Sequence, residues 1–395
     1  MEKTSQEESK IHNSRLVLRT IYNQGEISRA NVSRLTGLTR TTVSEIVSRF
    51  IQQDLVIETG TSPSRGGKPA ILLSLADDSR HLVGIDLANS EFRGAVVNLR
   101  GKVLHRINLP VQERDGEAAL PLVFTLIRRL LALTEKPILG IGIGTPGLMD
   151  PHAGVVRTAV NLDWRDLPLA DLLQKEFELP TYVANDCQAA ALAEFTFNRR
   201  QAEKNLVVVK VGRGIGAGII LDGKLFYGDN FGAGEIGHME IVKGGDLCLC
   251  GNYGCLETVA SSRALVKRAR ALLEKEESTL LSQLVSSTEE ITTDVVLKAF
   301  EAGDPGVQLL VNEIGQQLGF AIAHLVCALN INRVVIAGSL ARFGERLTRT
   351  IQNHVEQGAL RALAGETRIE VSPLGRDIVI LGAASLILSN EIGLV

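Results

Sequence analysis

The sequence lacks any apolar run that could cross a lipid bilayer. Apolar stretches such as Ile322–Leu329 and Ile378–Leu388 are too short or too interrupted for a spanning helix, which needs about 20 residues. The first ten residues, MEKTSQEESK, lack the apolar core of a secretory signal. We therefore expect a cytoplasmic protein that does not associate with a membrane.

Cysteine is also scarce, and its distribution argues against a disulfide framework. The chain has five cysteines, an odd number, and three of them fall between Cys248 and Cys255. In a reducing compartment, such crowding favours a metal site over disulfides.

Length and charge indicate several domains with different partners. At 395 residues, the chain is long enough for two or three domains. Residues 10–69 hold nine Lys and Arg but four Asp and Glu, an excess of five positive charges, whereas the whole chain has a net charge of −3. A small basic module on an acidic body suits contact with nucleic acid through one end, although an ordinary solvated surface gives the same balance.

The basic segment has the pattern of a helix-turn-helix. Apolar residues at helical spacing predict a helix at Ser14–Asn23. Ser28 is a suitable N-cap for a second helix, Arg29–Leu35, and Thr39 for a third, Arg40–Gln52. A short glycine-containing turn joins the last two, so the third helix would be the recognition helix in the major groove.

Two short strands, Leu55–Thr59 and Ala70–Leu75, are predicted to follow, joined by Gly60–Pro69. This connection is basic and slim, which favours a hairpin wing that reaches a minor groove over a plain flexible linker. The residues predicted to contact DNA are Ser28, Arg29, Thr39, Arg40, Thr41, Thr42, Ser44, Arg65 and Lys68.

From residue 81 onward, apolar strands alternate with helices, which predicts two similar α/β halves with strand-end loops facing a cleft. Strands are predicted at Leu82–Asp86, Gly94–Asn98, Val103–Leu109, Ile138–Gly144, Thr181–Asn185, Leu206–Val211, Gly216–Leu221 and Arg333–Ala337. Helices are predicted at Ala118–Leu133, Asp171–Phe177, Cys187–Phe195 and Leu309–Asn330. The expected domains are a DNA-binding domain at 1–76, a first lobe at 77–197 completed by a C-terminal helix at 383–395, and a second lobe at 198–382.

One imidazole and three thiols form a candidate metal site. His238, Cys248, Cys250 and Cys255 provide a soft, four-ligand set of the kind that holds structural Zn²⁺. With four protein ligands the ion has no open position, so we expect a structural metal and not a catalytic one.

The same region carries a family resemblance. The segments Gly234–His238, Cys248–Gly251 and Gly254–Glu257 resemble the signature of the ROK family, which groups bacterial repressors, open reading frames and sugar kinases. The resemblance covers essentially the whole chain, and the helix-turn-helix places it with the repressor branch, most similar to the xylose-repressor type. It implies an α/β chain in which a winged helix-turn-helix precedes a two-lobed sugar-kinase fold of the actin-like ATPase and ribonuclease-H-like class.

The resemblance also implies a sugar site. Carboxylates and amides bind paired hydroxyls, and a lost partner costs affinity. The positions that match the family's sugar ligands are Gly147, Asn161, Asn185, Asp186, Glu235, His238 and Glu257. Trp164, the only tryptophan, could pack on the apolar face of the sugar or simply in the core.

The phosphate side of the family's site is altered. Asp186 matches the base of the kinases, but their first phosphate loop, Asp-x-Gly-Gly-Thr, reads here Asp86-Leu87-Ala88-Asn89-Ser90. Asn98 stands where the kinases have a second Asp that could help to organise a metal, and Arg213 replaces the usual Thr of the second loop. Because phosphoryl transfer depends on positioning and charge around ATP, we expect that the protein is not an enzyme.

These observations predict a homodimer, or dimer of dimers, that binds a palindromic operator and changes its DNA affinity when an aldose, xylose above all, binds. The alternatives are a sugar kinase with an appended DNA-binding domain, and a DNA-binding protein whose body is only an interaction module.

Overall fold

The computed structural model describes residues 6–63, 69–88, 90–112, 115–198, 203–275 and 280–394. The chain forms two compact units. The first contains Met1–Gly147, Pro151–Ala184 and Ala383–Val395, and the second contains Leu148–Asp150 and Asn185–Gly382. Among the described residues, no helix combines the length and apolarity that a membrane crossing requires.

The first unit begins with a winged helix-turn-helix. Its elements are α1 (Gln6–Gln24), β1 (Ile27–Ser28), α2 (Arg29–Thr36), α3 (Arg40–Gln52), β2 (Val56–Thr61) and β3 (Ile71–Leu75). The three strands form an antiparallel sheet in the order β1-β3-β2. Helix α1 starts eight residues before the predicted Ser14, and β1 was not predicted because two residues carry no period.

The predicted caps of the second and third helices are confirmed. The Ser28 hydroxyl accepts a hydrogen bond from the Asn31 amide at 3.3 Å, and the Thr39 hydroxyl accepts one from the Thr42 amide at 3.2 Å. Gly37, with φ of 71°, ends α2 in a left-handed conformation that glycine adopts without strain. These local signals fix the angle between α2 and α3.

The larger part of the first unit is built on a five-stranded sheet. In chain order, the next elements are β4 (His81–Leu87), β5 (Glu91–Asn98), β6 (Val103–Pro110), α4 (Gly116–Leu131), β7 (Ile138–Thr145), β8 (Leu148–Asp150, which clusters with the second unit), β9 (Val155–Ala159), β10 (Trp164–Leu167), α5 (Leu169–Phe177) and β11 (Thr181–Asn185). The sheet order is β11-β7-β4-β5-β6. Strand β4 runs antiparallel to β5 and parallel to β7.

Within the first unit, the winged helix-turn-helix is packed against the turn that joins β5 and β6. The Arg100 guanidinium donates to the Tyr22 carbonyl at 2.6 Å and to Asp77 Oδ1 at 3.0 Å, and lies 4.4 Å from the centre of the Tyr22 ring. Arg15 of α1 donates to the Asn390 carbonyl at 3.3 Å. Side-chain contacts therefore hold the winged helix-turn-helix on this unit in addition to the covalent link.

The second unit repeats the same sheet order. Its elements are α6 (Asp186–Phe197), β12 (Leu206–Val211), β13 (Ile215–Leu221), β14 (Lys224–Leu225), α7 (Leu256–Ala260), α8 (Ser262–Glu274), α9 (Leu281–Leu284), α10 (Thr293–Glu301), α11 (Pro305–Leu329), β15 (Arg333–Ala337), α12 (Gly344–Gly358), α13 (Arg361–Ala364), β16 (Arg368–Val371) and the start of α14 (Ile378–Glu391), whose residues from Ala383 onward cluster with the first unit. The sheet order is β14-β13-β12-β15-β16. Strand β12 runs antiparallel to β13 and parallel to β15, as β4 does to β5 and β7. The prediction of two similar α/β halves is confirmed.

Helix α6 belongs to the second unit, whereas the predicted first lobe extended to residue 197. The reason is close packing on β13: a side chain at Gly218 would come within 2.1 Å of the Cys187 carbonyl oxygen. Gly315 and Gly319 allow α11 and α12 a similar approach, because a Cβ at Gly319 would lie 2.6 Å from that of His354. Glycines thus allow the helices of this unit to pack closely against the sheet and against each other.

Candidate functional site

The four predicted metal ligands lie together in the second unit. The candidate ligand atoms of His238, Cys248, Cys250 and Cys255 are all within 4.8 Å of one another. His238 Nδ1 is 3.7 Å from Cys248 Sγ, and Cys250 Sγ is 3.7 Å from Cys255 Sγ. A tetrahedral Zn²⁺ with Zn–S bonds of about 2.3 Å requires neighbouring sulfurs about 3.8 Å apart. The observed separations therefore fit a bound zinc ion.

Backbone geometry brings the three cysteines to one point. The Gly251 amide donates to the Cys248 carbonyl at 3.0 Å, which closes a tight turn. Gly254 has φ of 70°, and a Cβ there would lie 1.8 Å from the Val242 carbonyl oxygen. Burial, together with hydrogen bonds to the other two cysteines, raises the pKa of Cys255 to about 12. Loss of that proton at neutral pH therefore calls for a nearby cation.

The second nitrogen of His238 points away from the cysteines. Its Nε2 lies 3.7 Å from Glu235 Oε2. Burial raises the pKa of Glu235; the His238 charge lowers it, and the charges of Asp186 and Glu257 raise it again. Three other predicted sugar ligands, Asp186, His238 and Glu257, thus lie near enough to Glu235 to influence its pKa.

Asp186, at the start of α6, forms an ion pair that the sequence did not predict. Its Oδ2 accepts a hydrogen bond from Lys210 Nζ at 2.8 Å, and its Oδ1 accepts one from the Cys187 thiol at 3.3 Å. Burial would raise the pKa of Asp186, but the charge of Lys210 and the hydrogen bonds from Lys210 and Cys187 together outweigh burial and lower it. Lys210 is the single charge in the valine-rich strand β12, and that oddity is the signal that could have identified it.

Asn185 and Glu257 both hold local structure. The Asn185 side chain, and not Asp186, caps α6 by accepting from the Cys187 and Gln188 amides at 2.8 and 3.3 Å. Glu257 accepts from the Ile215 amide at 3.1 Å and from Arg263 Nη2 at 2.7 Å. The role of Asn185 and Glu257 as sugar ligands therefore stays a prediction.

The remaining predicted sugar ligands, Gly147 and Asn161, belong to the first unit. Gly147 has φ of 98°, and a Cβ there would lie 2.1 Å from the Thr158 carbonyl oxygen, so only glycine fits. Asn161 is exposed in a short 3-10 turn. Trp164 is 4% exposed and its Nε1 donates to the Gly116 carbonyl at 2.8 Å, so it packs in the core of the unit.

The first phosphate-loop position is occupied by an ion pair. Asp86, at the end of β4, is 2% exposed and accepts a hydrogen bond from Arg93 Nη2 on the paired strand. The neighbouring Asn89 lies outside the described residues. The second loop is a tight turn in which the Gly212 amide donates to the Gly214 carbonyl at 2.9 Å.

The structure places Asn98 away from Asp86. It pairs with the first residue of β4, at the opposite end of the hairpin from Asp86, and five residues of strand span roughly 17 Å. Its Oδ1 accepts from the amides of Arg100 and Lys102, both at 3.0 Å, and its Nδ2 donates to Asp78 at 2.7 Å. Asn98 therefore shapes the β5–β6 turn.

The predicted DNA-contacting residues differ in solvent exposure and in the contacts they make. Arg40, Thr41 and Ser44 are exposed on the first turns of α3. Ser28 is buried as a cap, and Arg29 pairs with Glu58 at 2.9 Å. Thr39 and Thr42 share a hydrogen bond of 2.9 Å between their hydroxyls. Arg65 and Lys68 fall outside the described residues.

Comparison with known proteins agrees with this architecture. The model of the ROK family matches residues 82–390. The chain is 35% identical over 384 residues to the xylose repressor of Caldicellulosiruptor bescii, covering 96% of both chains. It is 33% identical over 317 residues to a glucokinase of Halalkalibacterium halodurans, covering 79% of this chain and 96% of the glucokinase.

A solved structure of a ROK family transcriptional regulator, described as a homologue of the Escherichia coli MLC protein, matches with a TM-score of 0.84 at 28% identity and covers 98% of both chains. The fold is thus a winged helix-turn-helix joined to a sugar-kinase-like α/β body. The chain belongs to the ROK family.

Proposed function

We propose that this protein is a sugar-responsive transcriptional repressor of carbohydrate-utilisation genes. The observation that carries the proposal is a winged helix-turn-helix with an exposed recognition helix, in a chain that a xylose repressor matches over 96% of its length. Because the proposed partner is operator DNA, the proposed place of action is the cytoplasm.

DNA recognition is assigned to the exposed face of α3. The side chains of Arg40, Thr41 and Ser44 combine one cation with short hydrogen-bonding groups. Such groups suit phosphates and base edges in the major groove. We propose that two copies of the chain bind a palindromic operator, because the two-fold symmetry of a dimer is matched by two half-sites.

Sugar recognition is assigned to the carboxylates around Asp186. Glu235 and Glu257 lie near it, and His238 supplies a nitrogen that faces away from the cysteines. The proposed ligand is an aldose, xylose first among them. A sugar releases the operator only if it binds more tightly to the DNA-free conformation, and we propose that it does.

A structural Zn²⁺ is proposed for the cluster of His238 and the three cysteines. The ion would fix the loop from Glu240 to Cys255, whose ends already pair through a backbone bridge. It would also hold the His238 ring so that Nε2 remains directed toward Glu235.

The second candidate function is sugar phosphorylation, which the similarity to a glucokinase and the presence of Asp186 favour. Two ion pairs count against it. Arg93 neutralises Asp86 at the first phosphate-loop position, and Lys210 lowers the pKa of the group that would accept the sugar proton. We propose that the protein does not turn over ATP with sugars.

The test begins with DNA selected from a random pool by the purified protein. Fluorescence anisotropy with the selected DNA then measures affinity at a fixed salt concentration, with and without D-xylose or D-glucose. Weakened binding with either sugar supports the proposal. Phosphate transfer from ATP to the same sugars, at a rate typical of kinases, would contradict it and favour the second function.

A further inference from the structure

The ion pair of Lys210 and Asp186 is unexpected in its surroundings. Lys210 lies on β12, the central strand of its sheet, where the neighbouring Val208, Val209 and Val211 are fully buried. A charged pair in such a place seldom stabilises a fold more than apolar residues of the same size, because both charges must leave water. Stability alone does not account for this lysine.

The pair is not sealed from solvent. The side chains of Lys210 and Asp186 remain 21% and 14% exposed. Lys210 pairs in register with Gly216, which has no side chain to cover it, and sits two residues before the glycine turn at 212. A ligand that reaches Asp186 therefore meets the ammonium group as well.

The two groups are complementary to a pair of hydroxyls. A carboxylate only accepts hydrogen bonds and an ammonium only donates them, whereas a hydroxyl does both. Nζ and Oδ2 are separated by one hydrogen-bond length, 2.8 Å, which is also the spacing of two gauche hydroxyl oxygens on adjacent carbons. One hydroxyl can donate to Asp186 while the oxygen of its neighbour accepts from Lys210.

We propose that Lys210 is a sugar-binding residue that selects ligands with two adjacent free hydroxyls, one bound by Lys210 and one by Asp186. This inference rests on the proposed function and adds Lys210 to the predicted sugar-binding residues. The site then favours neutral polyols over sugars that carry an amine at the carbon whose hydroxyl Lys210 binds, because a protonated amine there would face the ammonium of Lys210.

The first test measures D-xylose binding by calorimetry to the wild type and to Lys210→Met, with D-glucose as the second probe. Loss of a charge-assisted hydrogen bond should weaken binding about 10- to 100-fold. The control is Lys204→Met, because Lys204 is 68% exposed and lies 4.0 Å from Asp222, away from the pair. Equal affinity of wild type and Lys210→Met would overturn the inference.

The second test separates contact from mere positioning of Asp186. Single hydroxyls of the sugar are replaced by hydrogen or by fluorine, which accepts a hydrogen bond but cannot donate one. At the Lys210 position, fluorine should be tolerated better than hydrogen in the wild type, and equally badly in Lys210→Met. At the adjacent Asp186 position, both replacements should weaken binding in either protein.

If Lys210→Met does not fold, binding of the same sugar analogues to the wild-type protein still tests the inference. A position at which fluorine is tolerated better than hydrogen, next to a position at which both replacements weaken binding, supports the inference, and the absence of such a pair overturns it. Wild-type protein that binds neither D-xylose nor D-glucose would overturn both the proposed function and this inference. Binding that is indifferent to Lys210 overturns the inference alone.

Discussion

Replacing Cys250 by serine isolates the contribution of the metal. Cys250 is the one exposed cysteine of the cluster, so the substitution removes a ligand without disturbing buried packing. Four-ligand structural zinc sites bind with about 10–16 kcal/mol of apparent free energy, so one ligand accounts for roughly 3–4 kcal/mol. That corresponds to a loss of about 100- to 1,000-fold in zinc affinity.

The assay is metal analysis after dialysis against a chelator, combined with thermal unfolding in added zinc. Because zinc binds the folded chain, a hundredfold weaker site removes up to about 2.7 kcal/mol of stability when zinc is in excess. The matched control is Cys327→Ser, since Cys327 is also exposed but lies on α11 outside the cluster. The reasoning is refuted if Cys250→Ser retains one zinc per chain with the same resistance to the chelator as Cys327→Ser.

Three further predictions follow from other contacts. Arg333 is 4% exposed and forms ion pairs with Glu194, Glu203 and Glu370. Arg333→Met should lower the unfolding free energy by about 3–5 kcal/mol, because the buried Glu194 carboxylate would lose its positively charged partner. Urea titration measures this loss, and an unchanged unfolding midpoint would contradict the prediction. Because the folded pKa of Asp186 is lowered, its contribution to stability is present above its ordinary pKa of 3.8 and is lost as pH falls through the folded value. The difference in unfolding free energy between the wild type and Asp186→Asn should therefore be constant from neutral pH down to about pH 5 in urea titration, and a difference that shrinks within that range would contradict the ion pair. Arg40→Ala should reduce the number of counterions released on operator binding, measured from its salt dependence, by about one. The control Arg361→Ala, which replaces an exposed arginine of the second unit, should leave this number unchanged.

Local signals in the sequence determined much of the fold. The caps Ser28 and Thr39 and the strands at 181–185, 206–211 and 333–337 are where the sequence predicted them, because each depends on a pattern within a few residues. The short strands β8, β9 and β10 were missed, since three to five residues with mixed exposure show no clear period. The helices α7–α10 and α12–α13 were not predicted individually.

The metal cluster was predictable because its four ligands follow a chemical pattern with close spacing. The ion pairs were not, because Arg93 reaches Asp86 across a strand pair and Lys210 reaches Asp186 from another element 24 residues away. The position of Asn98 relative to Asp86 was not predictable either. Twelve residues separate the two in the sequence, and the β4–β5 hairpin places them at opposite ends.

The central claim is that sugar bound around Asp186 controls DNA binding. The most direct measurement is operator affinity by fluorescence anisotropy, with and without saturating D-xylose, for the wild type, Asp186→Asn and the exposed control Asp222→Asn. We predict that sugar weakens operator binding of the wild type and of Asp222→Asn by at least about tenfold, or 1.4 kcal/mol, while Asp186→Asn binds the operator normally and does not respond. An operator affinity that falls equally with sugar in all three proteins, or in none of them, would contradict the account.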